Sequence, residues 1–420
     1  MKPTRRVFII GGEHSGFIGK FHPDFIWKGH PDYGKRQNPS LEDHLKNAVV
    51  GVLEKTGVPA AAVQKGYVGN FTGELFAKQG HLGAMMSGAH PDLKHKPFMR
   101  VEGACASGGL ALLCGIDAVS AGNDVVLVSG VEMQTTVNAA EGADYLARAA
   151  HYESQRACDP FTFPCLFARR AKLYRTAYRI SEEDLARVVV KAYSNANKNP
   201  NAHMQAVTMT LENASRASDK NPAFLENNEF REFMKVSDCS QVSDGASAAL
   251  LVSEAGLKKL GKRAEDAVEI VAYGHATAPL DETTDALVLS TTRYAVEEAY
   301  RDAGVDASSF GVAEVHDCFS VTELLMYEAL GFAEAGRGIQ LVKEGATTLD
   351  GRIPVNTGGG LLAFGHPVGA TGVKQAIEIF KQQKGLAGDY QIPKRPEFGV
   401  AANMGGDDRT SVVTVYRNVA

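Results

Sequence analysis

Cys105 stands between a strand-like run, residues 98–101, and a helix expected over residues 106–121. A thiol on such a strand-to-helix turn lies at the positive end of the helix dipole. That position lowers a cysteine pKa from about 8.5 and favours the nucleophilic thiolate. Ser107, Gly108 and Gly109 follow it, leaving space and free amide donors for a substrate. The pattern also fits a small buried residue at a crowded helix start. A second candidate is His366, held in Gly365-His366-Pro367 ahead of a helix beginning near Thr371. A neutral imidazole on that rigid turn could take a proton from Cys105 or donate to an acyl oxygen. A loop histidine without a role is the alternative.

Glu314-Val315-His316-Asp317-Cys318-Phe319 ends a buried strand, where α/β folds display reactive groups. Neighbouring strand residues face opposite ways, so His316, Asp317 and Cys318 are a poor metal set, and no metal is expected. Asn403-Met404-Gly405-Gly406 follows the run Gly399 to Ala402. Its consecutive amides could form an oxyanion hole, or simply a turn before a last strand, Ser411 to Tyr416. Cys158, Cys165 and His151 match no zinc spacing and read as core or surface residues. Ile9-Ile10-Gly11-Gly12 lacks the spacing of a dinucleotide loop.

The elements that must carry these residues come in two similar sets. Residues 44–57 and 292–304 are amphipathic helices ended by Gly57 and Gly304, where a left-handed C-cap suits glycine. Each leads through a short turn into a β-type run reaching Val68 or Val315. Each run is followed by a glycine-rich turn into another helix, one holding Cys105 and the other His366. Two matching strand–helix halves predict a duplicated α/β fold, with the site where the halves meet. Between them the texture turns polar and helical, as in Ser181–Ala192. The division expected is an N-terminal half over 1–131, an inserted lobe over 132–236, a return over 237–265 and a C-terminal half over 266–420.

The chain has 420 residues, 44% hydrophobic and 22% charged, and a net charge of −5 without a long basic run. That composition fits a large soluble fold and speaks against a nucleic-acid partner. No apolar stretch reaches the roughly 18–20 residues that span a bilayer, and the N-terminus does not read as a signal peptide. Six cysteines in this length suggest reduced thiols in a cytoplasmic setting.

In combination, Cys105-Ala106-Ser107, the His316-to-Phe319 box, Gly365-His366-Pro367 and the Gly405-Gly406 turn resemble the thiolase superfamily over nearly the whole chain. The His-Asp-Cys-Phe box is most similar to the sterol-carrier-protein-type thiolases. The resemblance implies an α/β thiolase fold, with duplicated βαβαβαββ halves in five α-β-α-β-α layers and an inserted, mostly helical loop domain. It implies an acetyl-CoA C-acyltransferase of lipid or fatty-acid metabolism. Such an enzyme makes or cleaves 3-ketoacyl-CoA through an acyl-cysteine, uses coenzyme A thioesters as substrates and has no resident cofactor. Cys105 matches the nucleophile, His366 its activating base, and His316 the group completing an oxyanion hole with His366. The backbone amides of Cys105 and Gly405 match a second hole, and Ser240 matches a pantetheine-contacting serine. Other thiolases carry a second cysteine in a Cys-x-Gly motif where this chain has Asn403-Met404-Gly405, so Cys318 becomes the candidate acid/base. A homodimer or homotetramer is implied. The alternative is a non-catalytic acyl-CoA- or lipid-binding relative, or one subunit of an acyltransferase complex.

Overall fold

Ser40 accepts a hydrogen bond from the amide of Asp43, and the Asp43 carboxylate accepts one in return from the Ser40 amide. This reciprocal cap starts a helix over Leu41–Thr56 and contributes about 1 kcal/mol. Gly57 ends the helix in the left-handed region at φ 64°. Gly304 ends the second expected helix, Ser290–Ala303, in the same way at φ 70°. A single 3₁₀ turn follows each, residues 60–62 and 307–309, and then a strand.

The computed structural model describes residues 1–283 and 285–419. Its first half holds β1 (Val7–His14), α1 (Leu41–Thr56), β2 (Lys65–Gly69), β3 (Phe98–Val101), α2 (Ser107–Ser120) and β4 (Val125–Glu132). A long insertion follows, with α3 (Thr162–Tyr178) and α4 (Glu182–Ala196) as its main helices, before β5 (Gly245–Ser253) returns to the sheet. The second half comprises β6 (Val268–Thr277), α5 (Ser290–Ala303), β7 (Phe310–Glu314), α6 (Ser320–Ala329), α7 (Thr371–Lys384), β8 (Phe398–Gly405) and β9 (Thr410–Asn418).

The strands lie in the order β3-β2-β4-β5-β1-β6-β9-β8-β7. The first five and last four repeat one topology about the short antiparallel junction of Val7–Ile9 with Val268–Ile270. The expected symmetry is incomplete at one edge. Where the first half has β3, the described residues of the second have only a single parallel bridge from Val355 to Ala313.

The cores place the helices in layers. Leu45, Val49 and Val52 of α1 pack on Phe8, Leu250 and Val252. The opposite face of those strands meets α2 and α7, which also pack on Val312, Ala401 and Tyr416 of the second half. The outer face of the second half, through Val400, Ala402 and Val415, is covered by α5, α6 and the inserted helices. The arrangement is helix, sheet, helix, sheet, helix, with the strand ribbon wrapped around α2 and α7.

Helix α7 is buried from Thr371 through Gln383, although it carries lysines, glutamines and a glutamate along its length. Its polar residues find partners inside. Lys374 donates to Glu314 at 2.8 Å, and Glu378 accepts from Lys381 at 2.8 Å. Glu378 also meets the ring of His14 at 3.1 Å. Buried charges persist only when paired and hydrogen-bonded in this way.

Candidate active site

Cys105 sits on one tight turn, residues 104–106, between β3 and α2. Ala104 is forced into the left-handed region at φ 52°, which costs an alanine about 1 kcal/mol. Ser107 stabilises the bend, accepting from Gly103 at 3.0 Å and donating to Ala104 at 2.6 Å. Side chains at Gly108 or Gly372 would meet the facing backbone at 2.7 Å and 2.0 Å. The absence of a Cβ at both lets α2 and α7 touch, which brings the Cys105 turn beside the His366 turn.

The donor atoms of Cys105, His316 and His366 lie within 4.8 Å of one another, and the two imidazoles meet edge to face at 5.1 Å. Among the described residues this is the one such group close enough to share an ion. The hydrogen bonds give the two rings opposite roles. Thr371 donates its hydroxyl proton to the Pro367 carbonyl, so its oxygen accepts from Nδ1 of His366 at 2.6 Å. Nε2 of His366 is then the bare, basic nitrogen. Asn403 is oriented by the Gly109 amide, which donates to its Oδ1 at 3.1 Å. Its Nδ2 therefore donates to the Cys105 carbonyl at 3.1 Å and to Nδ1 of His316 at 3.2 Å. His316 is left with its proton on Nε2, as a donor.

Electrostatics keeps both rings neutral. Burial, with the Lys374 ammonium nearby, lowers His366 to about 3. Burial, His366 and Lys374 hold His316 well below the usual histidine range. The expectation for Cys105 is corrected here. Burial pushes its thiol up to about 12, against a hydrogen bond from the Gly406 amide. Desolvation of the thiolate outweighs the helix dipole, so the resting pair is a neutral thiol beside a neutral base. Alkylation of Cys105 by iodoacetamide should therefore accelerate continuously from about pH 6 to about 9. A rate already level at the acid end, the mark of a thiolate–imidazolium pair, would refute this.

Cys318 is buried near Cys105, and burial together with that neighbouring sulfur holds its thiol well above the ordinary value. Its Sγ lies 3.9 Å from the Thr322 hydroxyl. Asp317 turns the other way, as alternation requires, and accepts from the Leu361 amide at 2.7 Å. It ties the His316 loop to the glycine-rich loop before His366. Ser240 is half-buried, and its amide donates to the Cys318 carbonyl at 2.9 Å. That contact, with the bridge between Cys239 and Phe319, seats the Ser240 segment directly on the Cys318 loop. Gly405 closes β8 opposite Thr410, and it is the next amide, that of Gly406, which reaches the Cys105 sulfur.

Three members of this site are given no such role by the sequence. Asn403 reads as the residue that replaces a missing cysteine, yet its amide links the Cys105 carbonyl, His316 and α2. Thr371 fixes the His366 tautomer. Lys374 helps set the charge state of both rings. The Gly-His-Pro-Val-Gly-Ala-Thr-Gly run contains Thr371, but only its distance from Nδ1 gives it a purpose.

Comparison with known proteins identifies the family of this fold. The profile of the thiolase N-terminal domain matches residues 30–255, and that of the thiolase C-terminal domain-like family matches residues 272–418. The chain belongs to the thiolase family. This thiolase is 36% identical over 386 residues to an acetyl-CoA acetyltransferase of Methanothermobacter thermautotrophicus, covering 91% of this chain and 96% of that protein. It is 31% identical over 365 residues to sterol carrier protein 2 of Gallus gallus, covering 83% of this chain and 63% of that protein. Its fold matches the Ltp2-ChsH2(DUF35) aldolase with a TM-score of 0.78 at 19% identity, over 100% of this chain and 99% of that one. This thiolase is an acyl-CoA C-acyltransferase. No helix among its described residues is long and apolar enough to cross a membrane.

Proposed function

We propose that this thiolase joins or splits acetyl-type acyl groups on coenzyme A, with Cys105 as the acyl carrier and without a resident cofactor. The meeting of Cys105, His316 and His366 within 4.8 Å is the observation that carries this reading. Nε2 of His366 takes the Cys105 proton as sulfur attacks the thioester carbonyl, and returns it to the departing coenzyme A thiolate. The amides of Cys105 and Gly405 hold the acyl oxygen, with Gly406 adjoining them. The second thioester places its oxygen against the Nε2 proton of His316, with His366 alongside. Cys318, as its thiolate after giving its own proton to solvent, removes the α-proton, the resulting carbanion attacks the acyl carbon on Cys105, and the sulfur released takes up a proton from solvent. Ser240, on the Cys318 loop, contacts the pantetheine arm. Support for an acetyl substrate comes from the named activity of the archaeal relative.

Mixing the protein with acetyl-CoA and recording its intact mass tests the carrier. One acetyl adduct on the native chain, absent from Cys105→Ala, is expected. An unmodified native chain with every short thioester would overturn the reading. Cys318→Ala separates the two half-reactions. It should still take up the acetyl group, while formation of the carbon–carbon bond slows by about 10²–10⁴-fold, the usual contribution of a positioned acid/base. Unchanged synthesis would remove Cys318 from the mechanism.

A second reading is favoured by one finding, that the structurally similar aldolase is named as a complex with a DUF35 protein. In it this thiolase works as one subunit of an acyltransferase complex, pairing with a second protein as well as with its own copy as a homodimer or homotetramer in the cytoplasm. Purification from the native source under mild conditions distinguishes the two. A stoichiometric second chain, with acylation dependent on it, favours the complex.

A further inference from the structure

Cys158 and Cys165 take no part in the chemistry above, and the fold brings them together. Cys158 ends a 3₁₀ turn, and Cys165 lies in the first turn of α3. The two thiols lie close enough to influence each other's ionisation. Each also reaches the backbone of the other's segment, Cys165 Sγ to the Cys158 carbonyl at 3.8 Å and Cys158 Sγ to the Thr162 carbonyl at 3.9 Å. Both line a cavity of about 260 Å³ together with Arg169, Phe230 and Glu282. Cys158 is partly exposed, whereas Cys165 is buried. One thiol is thus open to a small reagent, with a second thiol behind it.

We propose that Cys158 and Cys165 form a reversible dithiol–disulfide site in the inserted lobe, oxidised by hydroperoxides, that slows acyl transfer when closed. The Cys158 thiolate attacks the peroxide, the O–O bond breaks, and Cys158 becomes a sulfenic acid as an alcohol or water leaves. The Cys165 sulfur then displaces hydroxide from the Cys158 sulfur. The S–S bond forms, the S–O bond breaks, and the hydroxide leaves as water with the Cys165 proton. A thiol reductant reverses the step by exchange. The neighbouring Cys165 lowers the Cys158 pKa, and Cys158 is the more exposed of the two, which makes it the attacking partner.

The consequence for turnover follows from what α3 touches. Phe167, two residues beyond Cys165, stacks on Phe319 with ring centres 4.4 Å apart, next to Cys318. Arg170 donates to Asp407 at 2.5 Å, one residue beyond Gly406. A bond drawn at the first turn of α3 pulls on both contacts. The preceding turn cannot simply follow, because Asn227 holds the Cys158 carbonyl at 3.2 Å and Asp159 accepts from the amides of Glu226 and Asn227.

Both cysteines fall in one tryptic peptide, residues 157–169. After mild hydrogen peroxide treatment with acetyl-CoA present to cap Cys105, that peptide should lose about 2 Da and escape alkylation, and dithiothreitol should restore both sites. Turnover should fall severalfold in parallel and recover with dithiothreitol, whereas Cys158→Ser should keep its turnover through the same treatment. A peptide still alkylated twice, or Cys158 carried to sulfinic acid without the S–S bond, overturns the site. A disulfide that forms without slowing turnover overturns its regulatory role. The mass measurement does not depend on the assignment of Cys105, so the two proposals fail separately.

Discussion

His366→Ala should slow synthesis of the 3-ketoacyl product nearly as much as Cys105→Ala does. The resting thiol is protonated, with burial holding it at about 12, so almost no thiolate is available at neutral pH without a base. Nε2 of His366 is the bare nitrogen beside it, since Nδ1 is committed to Thr371 at 2.6 Å. Removing a nucleophile or its base in a unit of this kind costs up to about 10⁶ in turnover, and the losses do not add. The Cys105→Ala/His366→Ala double variant should therefore be scarcely slower than either single one. Single-turnover acetylation followed by mass measures the His366 effect, and steady-state synthesis of the 3-ketoacyl product measures all three. A loss under about tenfold in His366→Ala would show that another group takes the proton. Thr371→Val is the milder companion. It frees the His366 tautomer and should lower kcat more than it raises KM.

Lys374→Met should destabilise the fold by about 3–5 kcal/mol, the usual consequence of leaving one member of a buried ion pair alone. The Lys374 ammonium is fully buried, 2.8 Å from the Glu314 carboxylate and 4.8 Å from the centre of the Phe364 ring. Burial already raises Glu314, and without Lys374 that carboxyl must take up a proton or remain charged in an apolar setting. Adding Glu314→Gln should recover most of the loss, because the uncompensated charge goes with it. Urea unfolding of the two variants measures this. The same substitution has a catalytic signature. Lys374 helps depress His366, so its removal raises the folded pKa of that ring. The acid limb of the rate profile, where protonation of His366 removes the base, should move to higher pH. A stable variant with an unmoved acid limb would refute the electrostatic role.

The reactive residues are legible in sequence because each is punctuated locally. Cys105 follows a strand and precedes a helix, His366 is fixed between glycine and proline, and His316 ends a buried strand. The repeated helix, glycine and strand reveal the two halves in the same way. What stays hidden depends on the third dimension. Lys374, Glu378 and Lys381 have the spacing of a solvated helical face, and only the sandwiching of α7 between sheets turns them into a buried network. Asn403 reads as the loss of a cysteine, because its value lies in a Gly109 amide and a His316 ring remote in sequence. The charge state of Cys105 goes astray for a related reason. The helix dipole is visible in sequence order, whereas desolvation depends on everything packed around the sulfur. The missing fifth strand of the second half is equally out of reach, since Val355 keeps a β-type neighbourhood but pairs at a single point.

The wrapping of the strand ribbon around α2 and α7 also has a consequence for the chain during its synthesis. Cys105 leaves the ribosome long before its partners. Asn403, which clasps the Cys105 carbonyl, is 298 residues further on. His316, His366 and the Gly406 amide also belong to the later half. Through most of translation Cys105 is an ordinary thiol with no base beside it, and it acquires one only as α7 and β8 close over α2. The assembled site, with base and oxyanion donors around Cys105, therefore exists only once the last strands are in place.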